Sequence, residues 1–194
     1  MRRTRVTVSL VPVTLVAVLL VVALTGCGAS GHGRASGPFA WLKPTSAPTS
    51  WKIARIHSGA ALAYPPGWTP IKSDPGTASL ALLGNPEGND GFLNATPKQG
   101  AETLADWSRF RPRHNRGEGD RRVRLLAATA NGHFRSGRGA CVIDTYTTSK
   151  ASYREIACLV SGPRSSAVVV AAAPTALWAR RAATLERAVS SFTA

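Results

Sequence analysis

Hydrophobic positions fall into one long unbroken run at the start of the chain and many short ones after residue 50. The long run, Val6 to Leu24, holds 19 residues without a charge, with Arg2, Arg3 and Arg5 before it and Gly26-Cys27 after it. A basic head, an apolar middle and small residues at the exit predict a secretory signal peptide over residues 1–26. Leu24-Thr25-Gly26-Cys27 also fits a lipobox, which predicts lipidation at Cys27 and cleavage before it. A single acyl chain binds a membrane marginally and two or more anchor it stably, so the expected location is the extracytoplasmic face of the cell membrane.

Residues 27–50 are rich in Gly, Ser and Pro and predict a tether, interrupted by Phe39, Trp41 and Leu42, which read as a short segment lying on the domain or the lipid interface. From Trp51 the short apolar runs begin. Ala60–Tyr64 reads as a strand stopped by Pro65-Pro66-Gly67. Thr77–Leu83 and Phe92–Thr96 read as strands around a turn-rich loop, Gly84–Gly91. Ala101, Leu104 and Trp107 fall at helical spacing, which predicts a helix over Gln99–Phe110 ended by Pro112. Arg111–Gly119 then reads as an exposed loop. Val123–Ala128 reads as a strand, with Asn131-Gly132 as its hairpin turn.

A turn at Ser149-Lys150 predicts a hairpin over Gly139–Val160. It would pair Cys141 with Cys158, Ile143 with Ile156, Asp144 with Glu155 and Tyr146 with Tyr153. Because side chains alternate along a strand, that register puts both cysteines and the isoleucines on one face and the carboxylates and tyrosines on the other. Ser166–Ala173 contains Val168-Val169-Val170, an uninterrupted run suited to a central strand. Trp178, Ala182, Leu185, Val189 and Phe192 recur in steps of three and four, the stripe of an amphipathic helix lying on a sheet. The fold class is therefore α+β: a twisted antiparallel sheet, a long C-terminal amphipathic helix and a second helix packed on it, over residues 51–194.

Charge adds a partner class. The chain carries 24 Lys+Arg against 10 Asp+Glu, a formal +14, and removing the three arginines of the signal leaves +11. Such a balance calls for an acidic neighbour such as anionic lipid or a wall polymer, and export excludes nucleic acid. The arginines cluster: seven lie between Arg109 and Arg124, with Glu118 and Asp120 the only acids among them. Arg111, Arg113, Arg116, Arg121 and Arg122 are the candidate anion-binding set, since guanidinium forks bind phosphate in bidentate fashion. The same excess of Arg over Lys is also what a GC-rich genome yields without selection.

Chemistry-bearing patterns are sparse. With Cys27 assigned to the lipid, Cys141 and Cys158 remain as a disulfide pair in an oxidising compartment. The four histidines show no metal-ligand spacing and no Gly-x-Ser-x-Gly elbow occurs, so no cofactor, metal or catalytic residue is assigned. Asp144 and Glu155 could act as an acid–base pair, but the expectation is a solvated face on which each meets an arginine such as Arg138 or Arg154.

Two phrases carry a resemblance: Ala63-Tyr64-Pro65-Pro66-Gly67-Trp68, and the helix Trp178…Leu185…Val189-Ser190-Ser191-Phe192. Together they resemble the PsbP-like domain of actinobacterial Lpq-type lipoproteins, over about Trp51 to Phe192. The resemblance implies an α+β sandwich and an accessory or binding role, and it transfers no catalytic residue. The function expected is a non-enzymatic binding module on the membrane for anionic lipid or wall polymer. The alternatives are a structural module that engages an envelope protein through Tyr146 and Tyr153, and a small envelope hydrolase.

Overall fold

The computed structural model describes residues 37–85 and 88–194. The expected signal peptide and Cys27 lie outside the described residues. The strands are β1 (Lys52–Arg55), β2 (Ala61–Tyr64), β3 (Thr69–Ile71), β4 (Ala78–Asn85), β5 (Gly88–Pro97), β6 (Arg121–Phe134), β7 (Gly137–Thr147), β8 (Ser152–Ser161) and β9 (Ser166–Pro174). Helix α1 (Trp107–Gly117) sits between β5 and β6, and α2 (Trp178–Ser190) follows β9. β1 and β2 form a separate ribbon; the other strands make one antiparallel sheet in the order β3-β4-β5-β9-β8-β7-β6. This is the expected α+β arrangement.

The β7–β8 hairpin has the register read from its pattern, with Cys141 opposite Cys158, Ile143 opposite Ile156, Asp144 opposite Glu155 and Tyr146 opposite Tyr153. A disulfide joins Cys141 and Cys158, whose Cα atoms are 4.1 Å apart. One face of the sheet, with Leu80, Leu93, Ile143, Ile156 and Val169, packs under Leu185, Val189 and Phe192 of the C-terminal segment. Leu62 and Tyr64 of the ribbon join this core, as does Trp68 after the Pro-Pro-Gly turn. Trp68 lies against bare backbone: a Cβ on Gly91 would stand 2.7 Å from its ring. The other face buries Val142, Ala157, Leu159, Val168 and Val170 against Trp107. Covering the sheet on both sides explains the valine run in β9.

Four expectations need correction. The helix expected over Gln99–Phe110 instead runs Trp107–Gly117, so Arg111–Gly119 is largely helical and Pro112 lies inside it. An interior proline costs a helix about 3 kcal/mol. Here Trp107, Arg111 and Asn115, spaced one turn apart, all engage the sheet and offset that cost. Gly84–Gly91 is not an open loop, because β4 and β5 extend into it and pair Asn85 with Gly88. Asn131-Gly132 is not the turn either, since β6 continues to Phe134, which pairs with Gly137. Gly132 instead ends a bulge and lets the chain pass close to its neighbours; a Cβ there would lie 3.0 Å from Leu42 and 3.1 Å from the Gly139 carbonyl. Finally, the stretch expected as tether is described from residue 37, and there it lies on the domain. Phe39, Trp41 and Leu42 pack on the core, Thr45 N donates to Ser190 O at 3.3 Å, and Arg187 donates to Ser46 O at 2.8 Å.

Both cysteines are fully buried, and their bond closes a loop across a sequence separation of 17. In the chain-entropy picture a loop of that size is worth about 3 kcal/mol. The Cys141→Ala/Cys158→Ala variant is expected to lose about that much in urea unfolding, with the register of the remaining sheet unchanged by amide exchange.

Candidate functional site

The carboxylate face of the hairpin is buried. Helix α1 crosses β6, β7 and β8, and under it Asp144 is fully buried while Glu155 is 1% exposed. The expected partners are absent for geometric reasons. Arg154 alternates to the opposite face, where its guanidinium lies 4.8 Å above the Trp178 ring. Arg138 is six residues from Asp144 along β7 and donates instead to Asn131.

Glu155 is held from the helix. Arg111 Nε donates to Oε1 at 2.7 Å and Nη2 to Oε2 at 2.9 Å, a bidentate fork on a side chain only 14% exposed. Burial opposes the Arg111 charge, but the charge and hydrogen bonds of Glu155 outweigh it and hold its pKa above the usual arginine value. One turn on, Asn115 Nδ2 donates to Asp144 Oδ2 over a long 3.4 Å, and Asp144 Oδ1 has no protein partner among the described residues. Burial first, and then the adjacent Glu155 charge, push the Asp144 carboxyl up to about 7, with Asp120 adding and Arg111 opposing. The same two causes raise Asp120 at the end of the α1–β6 turn.

Because α1 covers only β6–β8, the other half of that face is open. It forms the floor of a cleft of about 610 Å³, lined by Ser79, Asn94 and Val170, with Arg111 and Glu155 at one wall and Lys72 and Asp74 at the other. Asn94 Nδ2 donates to Ser79 Oγ at 2.9 Å across β4 and β5. A second hollow of about 290 Å³ meets it at Thr96, Gln99, Arg111 and His114, and extends to Glu102, Trp107 and Phe110. Trp107, Phe110 and His114 stack along its wall with centroids 5.7 and 5.8 Å apart. Sequence reasoning missed this cleft, since its residues come from seven elements. The usable signal was the stagger of Trp107, Arg111 and Asn115 across Pro112.

The candidate anion-binding set divides. Arg111 faces inward and its charge is matched by Glu155. Arg113, Arg116, Arg121 and Arg122 are exposed. Arg116 also donates to the Val123 carbonyl at 3.3 Å, tying the helix end to β6. β6 is an edge strand, and it opens with a bulge between Arg121 and Arg124 in which Arg122 has φ +53°. A side chain in that left-handed region is strained, and such bulges re-aim their side chains outward. Arg124 is exposed beside them, and Leu125 and Leu126 follow at 45% and 47% exposure.

No protein-family model matches the chain, and no curated protein matches it. Among solved structures, the cyanobacterial PsbP of Synechocystis aligns with 75% of this chain and 93% of its own, at 16% identity and a TM-score of 0.54. The fold is PsbP-like. Looser matches are the Ran-binding protein Mog1p of Saccharomyces cerevisiae, with 11% identity, TM-score 0.46 and 72% and 87% of the two chains covered, and LpqN of Mycobacterium tuberculosis, involved in cell envelope biogenesis, with 11% identity, TM-score 0.44 and 78% and 88% covered.

The folded chain keeps the Asp144 proton up to about pH 7, whereas the unfolded chain releases it near 3.8. Its contribution to stability is therefore complete at low pH and is lost as pH rises from about 4 through about 7, by at most ~4 kcal/mol. Asp144→Asn is expected to remove this slope and to be the more stable protein at pH 8. Urea unfolding at pH 5 and pH 8 checks it, and equal slopes for both proteins would contradict it.

Proposed function

We propose that this protein is a membrane-anchored, non-enzymatic binding module on the extracytoplasmic face, and that it rests its β6 edge on anionic lipid. The supporting observation is the composition of that edge. From Arg121 to Ile143 the sequence has five arginines and no acid, and the exposed end of β6 joins Arg121, Arg122 and Arg124 to two exposed leucines. Arg113 and Arg116 extend the basic surface onto α1. Near an anionic leaflet each basic side chain contributes about 1 kcal/mol, and leucines gain by entering the head-group boundary. The leucines favour a bilayer over a soluble wall polymer, which would need only the charge.

Two further features support the reading. The register irregularities at Arg121/Arg124, Leu125/Ala127 and Thr129/Gly132 make β6 a poor template for strand addition by a protein partner. The carboxylate pair that could have done acid–base chemistry is otherwise engaged: Asp144 is fully buried, and both Glu155 oxygens accept from Arg111. On this reading attachment comes from lipid at Cys27; among the described residues no helix is long and apolar enough to cross a membrane.

Vesicle co-sedimentation of residues 36–194 tests the proposal. The expected result is binding to phosphatidylglycerol-containing vesicles and not to pure phosphatidylcholine. Replacing Arg121, Arg122 and Arg124 by Gln is expected to weaken it at least about tenfold. Leu125→Ser/Leu126→Ser should weaken vesicle binding while leaving binding to inorganic polyphosphate unchanged. Vesicle binding that ignores the leucine pair would make the target a polyanion and overturn the bilayer reading.

A further inference from the structure

The acids of this basic protein are not spread over it. Among the described residues, five acids line the two joined hollows beside α1: Asp74, Glu102, Glu118, Asp120 and Glu155. Among the described residues, only two bases, Lys72 and Arg111, line them. Since Arg111 and Glu155 neutralise each other, the concavity is net negative inside a strongly cationic domain. Low-dielectric walls focus such a field inward.

Glu102 is the second, independent observation. It is 5% exposed, its Oε1 accepts the Gln99 N–H at 3.0 Å, and its Oε2 accepts no hydrogen bond among the described residues. A buried carboxylate oxygen without a donor is costly. Oε2 lies over Gly100, where a Cβ would come within 2.7 Å of it. The ladder of Trp107, Phe110 and His114 lines the same hollow. A carboxylate lacking a donor beside stacked aromatic faces is complementary to an ammonium group, which brings N–H donors to the oxygen and positive charge to the rings. A metal ion is a poorer match, since no three His, Cys, Asp or Glu side chains converge as ligands among the described residues.

We propose that this cleft binds an organic amine, with one ammonium on Glu102 against the aromatic ladder and the remainder of the ligand along the acidic rim toward Asp120. The site is separate from the β6 edge, so each stands or falls without the other.

Titrating 1,5-diaminopentane at low salt into 15N-labelled residues 36–194 tests it, read at the Trp107 indole N–H, which donates to the Ala157 carbonyl. A saturable shift is expected, absent with 1-pentanol. Glu102→Gln keeps the acceptor for Gln99 N–H and should weaken the amine about tenfold. Asp120→Asn, at the rim, should weaken it about twofold to threefold, and the triple arginine variant of β6 should bind as the parent does. No saturable shift up to about 10 mM amine, or undiminished binding by Glu102→Gln, would overturn the proposal.

Discussion

The Arg111–Glu155 fork decides how this molecule is put together. A carboxylate in the middle of a seven-stranded sheet costs several kcal/mol unless it is paired and hydrogen-bonded. The pairing cannot come from the sheet, because the nearest arginine on β8 alternates to the other face. It comes from a helix laid across the strands, so satisfying one charge fixes where α1 sits and which way it is rolled. With Arg111 committed, Trp107 and Asn115 on the same stripe reach Ala157 and Asp144. The disulfide on the opposite face holds the same two strands, β7 and β8, together, so the fork and the bridge clamp one hairpin from both sides.

The position of α1 also sorts the charges. By covering β6–β8 and leaving β4 and β5 uncovered, it makes a concavity in which acids outnumber bases. Its outer surface and the strand that follows carry exposed arginines. One element thereby divides a strongly basic domain into a cationic edge and an anionic hollow. The two could engage chemically opposite partners at once. Asp144, buried beside the Glu155 charge, is held as an acid up to about pH 7.

Legibility in the sequence followed the range of the interactions. The hairpin register was readable because Cys141/Cys158 and Ile143/Ile156 align with the apolar alternation in only one phase, a local matter of period two. The α2 stripe was readable for the same reason with period 3.6. The span of α1 was not, because Pro112 and a run of arginines are local signals for a loop, and what overrides them lies 44 residues away in Glu155. Asn131-Gly132 misled similarly: the pair serves a bulge beneath Leu42, a contact that spans 90 positions. The arginine cluster was visible as composition, but only the fold separates Arg111, which is structural, from Arg121, Arg122 and Arg124, which face outward.

The most direct test of the fork's role is a stability cycle on Arg111 and Glu155, with amide exchange along α1. Arg111→Met alone leaves a buried unpaired carboxylate and is predicted to cost about 3–5 kcal/mol and to open α1 to exchange. Arg111→Met/Glu155→Met replaces the pair by apolar volume and is predicted to recover most of that loss. A single variant that loses less than about 1 kcal/mol, the scale of an exposed pair, with α1 still protected, would contradict the account.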